Sequence, residues 1–89
     1  MTSKDPSPLT FPCRFPIKAM GRADGNLASV VTDIVARHDP ALGPDAVRSR
    51  PSRAGNYVSV TVLVQATSRE QLDAIYRDLT AHEEILWVL

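Results

Sequence analysis

Two segments of the chain alternate between apolar and polar residues, which is the period of a β-strand with one buried face. In residues 14–20 the apolar positions are Phe15, Ile17 and Ala19. Residues 57–66 alternate more strictly, and one face of that segment consists of Val58, Val60, Val62 and Val64. The two segments predict the first and third strands of a sheet, and the third has the pattern of a central strand.

A helix is predicted between these strands, from about residue 27 to residue 38. Its apolar residues follow the spacing of an amphipathic helix and are Leu27, Val30, Val31, Ile34 and Val35. Asp39-Pro40 is expected to end the helix, because the residue before a proline disfavours helical dihedrals. Either Asp24 or Asn26 could cap its start, and the sequence does not decide between them.

A second helix follows the third strand and is predicted to open at Thr67 or Ser68. Thr67 with Glu70 and Ser68 with Gln71 both have capping-box spacing, so two starts stay open. The apolar stripe of this helix consists of Leu72, Ile75, Tyr76 and Leu79. The stripe again predicts a helix that packs one face against a sheet.

Two shorter strands complete the pattern. One is predicted at residues 46–53, where Pro51 suits a sheet edge because proline cannot donate a ladder hydrogen bond. Ala54-Gly55-Asn56 then predicts a tight turn, and the apolar residues 85–89 predict a last strand beside the first. The order β-α-β-β-α-β is the ferredoxin-like pattern. We therefore predict an α+β sandwich, a four-stranded antiparallel sheet with both helices on one face.

The predicted fold occupies residues 11–89 as one domain. Residues 1–10 are polar, contain Pro6 and Pro8 and show no periodicity, which predicts a disordered tail. The chain shows no signal peptide and no apolar run long enough to span a membrane, so we expect a cytoplasmic protein. A single cysteine, Cys13, excludes a disulfide within the chain.

The net charge is zero, which argues against a dedicated nucleic-acid binder, because such proteins carry a basic excess. The charges are nevertheless unevenly distributed. Residues 1–55 hold eight basic and five acidic side chains, whereas residues 56–89 hold two and five. The sequence therefore predicts an electric dipole in a protein that is neutral as a whole.

Several segments resemble the YbeD-like family of small bacterial proteins of unassigned function. They are residues 11–21 (FPCRFPIKAMG), Arg37-His38, Gly55-Asn56-Tyr57, residues 72–79 (LDAIYRDL) and Trp87-Val88-Leu89. The resemblance covers about residues 11–89. It implies a ferredoxin-like fold similar to the ACT-type regulatory domains of amino-acid biosynthetic enzymes, which often bind an amino acid near the loop after the first strand.

The corresponding loop of this chain is a candidate ligand site. It contains Gly21, Asp24, Gly25 and Asn26, at the predicted start of the first helix. Backbone amides at a helix start attract carboxylates and phosphates, so a small polar metabolite could bind there. The alternative is an ordinary strand-to-helix turn that needs glycine and a cap. The loop lacks the proline that ACT domains often carry at this position.

A second candidate site is the sheet surface opposite the helices. The basic and aromatic residues predicted there are Arg14, Lys18, Arg48, Arg50 and Tyr57. Either an anionic protein partner or a solvated surface is expected there. RNA binding is disfavoured, because RNA-recognition sheets stack bases on aromatic residues of both central strands. The apolar last strand adds Trp87, which either packs beneath neighbouring elements or marks a partner or homodimer contact.

Catalytic, metal and cofactor sites are not predicted. His38 and His82 lie on different elements, no Cys-x-x-Cys pair exists, and Cys13 has no histidine nearby in sequence. The loop carboxylates Asp24, Asp39 and Asp45 are interpreted as turn-forming residues. We therefore expect a non-enzymatic module, either a regulatory or adaptor protein that binds a small metabolite or a protein-interaction module.

Overall fold

The computed structural model of the chain describes residues 10–89, and their element order confirms the predicted β-α-β-β-α-β pattern. The elements are β1 (Cys13–Arg22), α1 (Leu27–Ala36), β2 (Val47–Pro51), β3 (Tyr57–Ala66), α2 (Arg69–Thr80) and β4 (Trp87–Val88). A single turn of 3-10 helix, Pro44–Ala46, precedes β2. The predicted disordered tail, residues 1–10, lies outside the described residues except for Thr10.

The four strands form one antiparallel sheet in the order β2-β3-β1-β4. β1 and β3 pair along their whole length and occupy the centre, as their alternation predicted. β2 and β4 are the edges, which confirms that Pro51 lies in an edge strand and that the last strand lies beside the first. Gly55, with φ at 81°, makes the β2–β3 turn, where a side chain would be strained.

The core lies between one face of the sheet and the two helices. In the middle of the central strands, alternate residues are fully buried there, namely Ile17, Ala19, Val60, Val62, Val64 and Ala66. Most of each predicted helix stripe is buried as well, Leu27, Val31, Ile34 and Val35 from α1 and Leu72, Ile75 and Leu79 from α2. The other two stripe residues, Val30 and Tyr76, are only partly buried against this core. Both helices therefore cover the same face, and the opposite face carries the remaining strand residues.

β1 extends beyond its predicted end at residue 20, and the reason is steric. The strand continues through Gly21 to Arg22, which pairs with Tyr57. Gly21 is buried, and a Cβ atom at this position would lie 2.6 Å from the backbone oxygen of Glu84. The glycine therefore allows the chain before β4 to approach β1, and it does not terminate the strand.

The last strand is shorter than predicted. Regular pairing covers only Trp87–Val88, while Ile85 turns into the core and is 7% exposed. Backbone hydrogen bonds still extend along β1, from Leu86 N to the Met20 oxygen (2.8 Å) and from Leu89 N to the Lys18 oxygen (2.7 Å). The Tyr76 hydroxyl of α2 donates to the backbone oxygen of Leu89 at 3.4 Å. Burial raises the pKa of this hydroxyl.

The helix boundaries resolve the capping alternatives. Ser68 caps α2, its hydroxyl accepting from Gln71 N at 3.0 Å, so the Ser68 alternative is confirmed. Asn26 holds the N-cap position of α1 but makes no capping bond with its side chain. Neither helix within residues 10–89 is long and apolar enough to cross a membrane.

Asp39 replaces a strand partner at the end of β3. The residues of β3 beyond Val62 have no β2 partner, because β2 begins at Val47 opposite that residue. The Asp39 carboxylate, 3% exposed, accepts from Gln65 N (2.9 Å) and from Ala41 N (3.1 Å). A backbone N–H without a strand partner still needs a hydrogen-bond acceptor. The Asp39 carboxylate is that acceptor for Gln65 N, beyond the point where β2 stops pairing with β3. The bond to Ala41 also agrees with the turn-forming role predicted for Asp39.

We predict that Asp39→Ala lowers the free energy of unfolding by about 2–4 kcal/mol, because it leaves two backbone N–H groups without their charged acceptor. Urea denaturation followed by circular dichroism measures the change. Asp33→Ala, at an exposed position on α1, is the matched control and should change stability by less than about 0.5 kcal/mol. Equal effects of the two substitutions would contradict the role of Asp39.

Candidate functional site

The sheet surface opposite the helices, which we call the open face, collects all the residues predicted for a partner surface. Alternation along each strand turns the following side chains outward: Arg14 and Lys18 on β1, Arg48 and Arg50 on β2, Tyr57 on β3, and Trp87 on β4. All six side chains are exposed. The structure therefore brings the basic residues and Trp87, which the sequence placed in separate hypotheses, onto one surface.

The strand register orders these residues in rows across the open face. One row runs Arg50, Ser59, Met20 and Trp87 from β2 to β4. The next runs Arg48, Thr61 and Lys18, and two backbone hydrogen bonds place Leu89 opposite Lys18 at its end. Since neighbouring strands lie about 4.8 Å apart, each row is roughly 15 Å wide.

The open face carries positive charge without acidic residues among its strands. No strand described in residues 10–89 contains Asp or Glu. The ion pairs within this part of the chain are Arg22 with Asp24 at 3.3 Å and His38 with Asp78 at 2.7 Å. Arg14, Lys18, Arg48 and Arg50 therefore have no carboxylate within 4.0 Å among the described residues. Such a cluster attracts anions and repels other cations.

Apolar side chains lie beside these charges. Trp87 is 47% exposed, and Tyr57 and Leu63 are each 39% exposed. Met20 is half-buried and stands opposite Trp87 in the register. Aromatic residues and arginine together are the composition enriched at the centres of protein interfaces. Trp87 is not packed beneath another element among residues 10–89, and its role as a partner contact stays a prediction.

A cleft opens on this face where β2 begins. It encloses about 480 Å³ between the loop of residues 41–46 and the strands. Its walls carry charges of both signs, from Arg14, Arg48, Asp39 and Asp45, beside the apolar side chains of Leu42 and Leu63. A depression of about 370 Å³ continues it toward the middle of the sheet, beside Lys18, Arg48 and Arg50 and the hydroxyl groups of Ser59 and Thr61. The open face is therefore indented at its basic side.

The predicted ligand loop is held by a residue that the sequence did not indicate. The Glu84 carboxylate accepts from Asn26 N at 3.0 Å, so the start of α1 already faces a carboxylate of the chain. Gly25 lies against the same carboxylate, and Asp24 pairs with Arg22. Gly21 contacts the Glu84 backbone. The four predicted loop residues are thus close together, and whether they bind a ligand stays a prediction.

A shallow cleft of about 240 Å³ adjoins this loop. Acidic and basic side chains share its walls, which are formed by Arg22, Asp24, Gly25, Glu83, Glu84 and Leu86. The one basic residue, Arg22, is paired with Asp24 at 3.3 Å, while Glu83 and Glu84 supply further carboxylates. The cleft therefore combines both signs of charge beside the predicted ligand loop.

The histidines and the cysteine serve separate local contacts. His38 Nε2 lies 2.7 Å from Asp78 Oδ2, which joins the end of α1 to α2. His82 Nδ1 accepts from Glu84 N at 3.1 Å, and Cys13 is half-buried at the start of β1. Within residues 10–89, no group of three or more His, Cys, Asp or Glu side chains could hold a metal ion.

Sequence reasoning missed three residues that shape these surfaces. Met20 and Leu63 lie on the open face, and strict counting by twos along the two central strands would have found both. Glu84 gave no comparable signal, because its contact with Asn26 spans 58 residues of sequence. Glu84 and Asn26 come together only because β4 pairs with β1.

Comparison with known proteins gives concordant matches over nearly the whole chain. The model of a protein family of unknown function, DUF493, matches residues 6–89. A UPF0250 protein of Leptothrix cholodnii is 45% identical over 86 residues, 97% of this chain and 94% of the relative. A UPF0250 protein of a Janthinobacterium species is 46% identical over 91 residues and covers both chains fully. None of these descriptions states an activity.

A solved structure supports the fold independently of sequence. The solution structure of protein HP0495 from H. pylori matches with a TM-score of 0.73, over 98% of this chain and 90% of that one. The two sequences are only 12% identical, so the likeness concerns the fold alone.

Proposed function

This chain belongs to the DUF493 family, whose UPF0250 members include the YbeD-like proteins, and on that premise we propose that it is a non-enzymatic adaptor module. Its open face binds an acidic protein partner. The observation that carries the proposal is the set of four basic side chains, Arg14, Lys18, Arg48 and Arg50, with no acidic residue on the strands among them.

Charge complementarity supports an acidic partner. A partner that brings carboxylates to Arg48 and Arg50 gains charge-assisted hydrogen bonds, which arginine forms in bidentate geometry. Exposed Trp87 and Leu63 then add apolar contact area beside the charges. A second copy of this chain is disfavoured as the occupant of the open face, because its described strands contain no carboxylate to pair with these arginines.

RNA is a weaker fit to the same surface. The outward positions of β1 and β3 offer one aromatic residue, Tyr57, at the end of β3. Met20, Ser59 and Thr61 stand at the centre, where a sheet that binds RNA would stack bases. A peptide side chain packs on this centre, which has no aromatic residue, more readily than a base stacks there.

A second candidate function is the binding of a small amino-acid-like metabolite at the ligand loop. The mixed charges of the adjoining cleft favour it, and an incoming carboxylate would take the place of Glu84 at Asn26 N.

The metabolite function predicts a ligand-induced rise in melting temperature. Binding at a hundredfold excess over the dissociation constant stabilises a protein by about 2.7 kcal/mol. A thermal-shift screen against amino acids and organic acids measures this, and Asp24→Ala should abolish the shift if the site is the loop. No shift with any compound would exclude this function for the compounds tested.

The adaptor function predicts that the protein captures acidic proteins from a lysate of its own bacterium and that the double variant R48E/R50E does not. The charge reversal places carboxylates where the partner's carboxylates would bind. Mass spectrometry of the retained proteins measures the difference, after nuclease treatment to remove material held through nucleic acid.

The matched control is R69E/R77E, which makes the same charge change at exposed positions on α2, in the helix layer. It should retain the same proteins as the wild type. Retention that is unchanged by R48E/R50E, or lost equally with both double variants, would contradict the proposed function.

A further inference from the structure

The polarity of the open face changes across its width. At the β2 side each row ends in a guanidinium, Arg50 in one row and Arg48 in the other. Hydroxyl groups, Ser59 and Thr61, occupy the β3 positions of these rows. At the β4 side the rows end in apolar side chains, Trp87 and Leu89, which are 47% and 67% exposed. Lys18 and Met20 lie between.

This gradient restricts the occupant to a segment whose own polarity changes in the same direction. From the gradient we infer that the partner element is an amphipathic α-helix with acidic residues along one flank and apolar residues along the other. The inference rests on the proposed function and specifies its partner. The acidic flank lies over Arg48 and Arg50, and the apolar flank lies over Met20 and Trp87.

Backbone hydrogen bonding favours a helix over an extended strand. A strand pairs with the edge of a sheet, where N–H and C=O groups project, whereas a strand laid on a sheet face leaves its own backbone groups unpaired. A helix satisfies its backbone bonds internally and presents only side chains. The open face offers side chains alone, so a helix is the element that fits it.

The dimensions of the open face agree with a single helix. The two central strands have 10 residues each, a length of roughly 33 Å, while the rows are roughly 15 Å wide. A helix with its side chains is about 10–12 Å across, and about 20 residues span 30 Å. One helix therefore covers the open face lengthwise, on the side of the sheet that α1 and α2 leave uncovered.

The cleft beside β2 gives the helix a second point of contact. Leu42 and Leu63 supply apolar walls, and charged residues of both signs, Arg14, Arg48, Asp39 and Asp45, surround them. A cleft of about 480 Å³ accommodates one large apolar side chain of the helix. Such an anchor fixes the position of a helix along the sheet, since buried anchors dominate binding at interfaces.

Synthetic peptides of about 20 residues test the inference. The first has leucine at helical spacing along one flank and glutamate along the other. The second has the same composition in scrambled order, so that no face is apolar. The third carries lysine in place of glutamate. Anisotropy of a labelled peptide gives the affinity, and Trp87, the only tryptophan, reports contact through its emission because the peptides lack tryptophan.

The amphipathic acidic peptide should bind at least about tenfold more tightly than the scrambled peptide. It should also shift the Trp87 emission toward shorter wavelength, because it buries a half-exposed indole. R48E/R50E and Trp87→Ala should each weaken it by about tenfold or more, since both remove one flank of the contact. R69E/R77E should leave it unchanged. Thermal melting of each variant verifies that it is folded.

Equal binding of the scrambled and amphipathic acidic peptides would overturn the helix inference while the acidic-partner function stands. Absence of binding by both would also overturn it, and the lysate comparison with R48E/R50E then decides the proposed function separately. Tighter binding of the lysine peptide, or of single-stranded RNA in competition, would overturn it by assigning the open face to another class of ligand.

Discussion

The one-sided burial of the sheet determines the rest of this molecule. The two β-α-β connections place α1 and α2 on the same face, and Val60, Val62 and Val64 of β3 are fully buried against them. Because strand residues alternate strictly, every polar residue between those valines is turned to the opposite face. A shift of one residue would bury Thr61 and Lys18 and expose the core, so the composition of the open face follows from the packing of the core.

The distribution of charge follows from the same arrangement. Carboxylates on the helix and loop side satisfy the backbone or a histidine: Asp39 holds Gln65 N, Glu84 holds Asn26 N, and Asp78 contacts His38. Four basic side chains, Arg14, Lys18, Arg48 and Arg50, project in contrast from the strands onto the open face. A chain with net charge zero thereby presents a positive surface, so its overall charge does not describe the ligand it attracts. The dipole predicted from the sequence is consistent with this separation.

Local periodicity predicted the fold well, but it did not predict the features that depend on contacts between distant segments. The bounds of β3 and the Ser68 cap of α2 depend on neighbouring residues, and both agree with the pattern. The short β4 does not follow the pattern, because Ile85 is buried in a core that includes residues distant in sequence from β1, α1 and β3. The candidate residues were found individually, whereas their assembly on one surface depends on the pairing of Met20 with Trp87. Glu84 at the ligand loop was missed for the same reason.

Photo-crosslinking in the living bacterium tests most directly whether the open face is the partner surface. A photoreactive amino acid placed at Thr61, in the middle of the open face, should yield a covalent adduct with another protein upon irradiation. The same residue at Asp73, exposed on α2, should yield little or none. Adducts from position 73 with none from position 61 would contradict the partner role of the open face, and so would equal adducts from both.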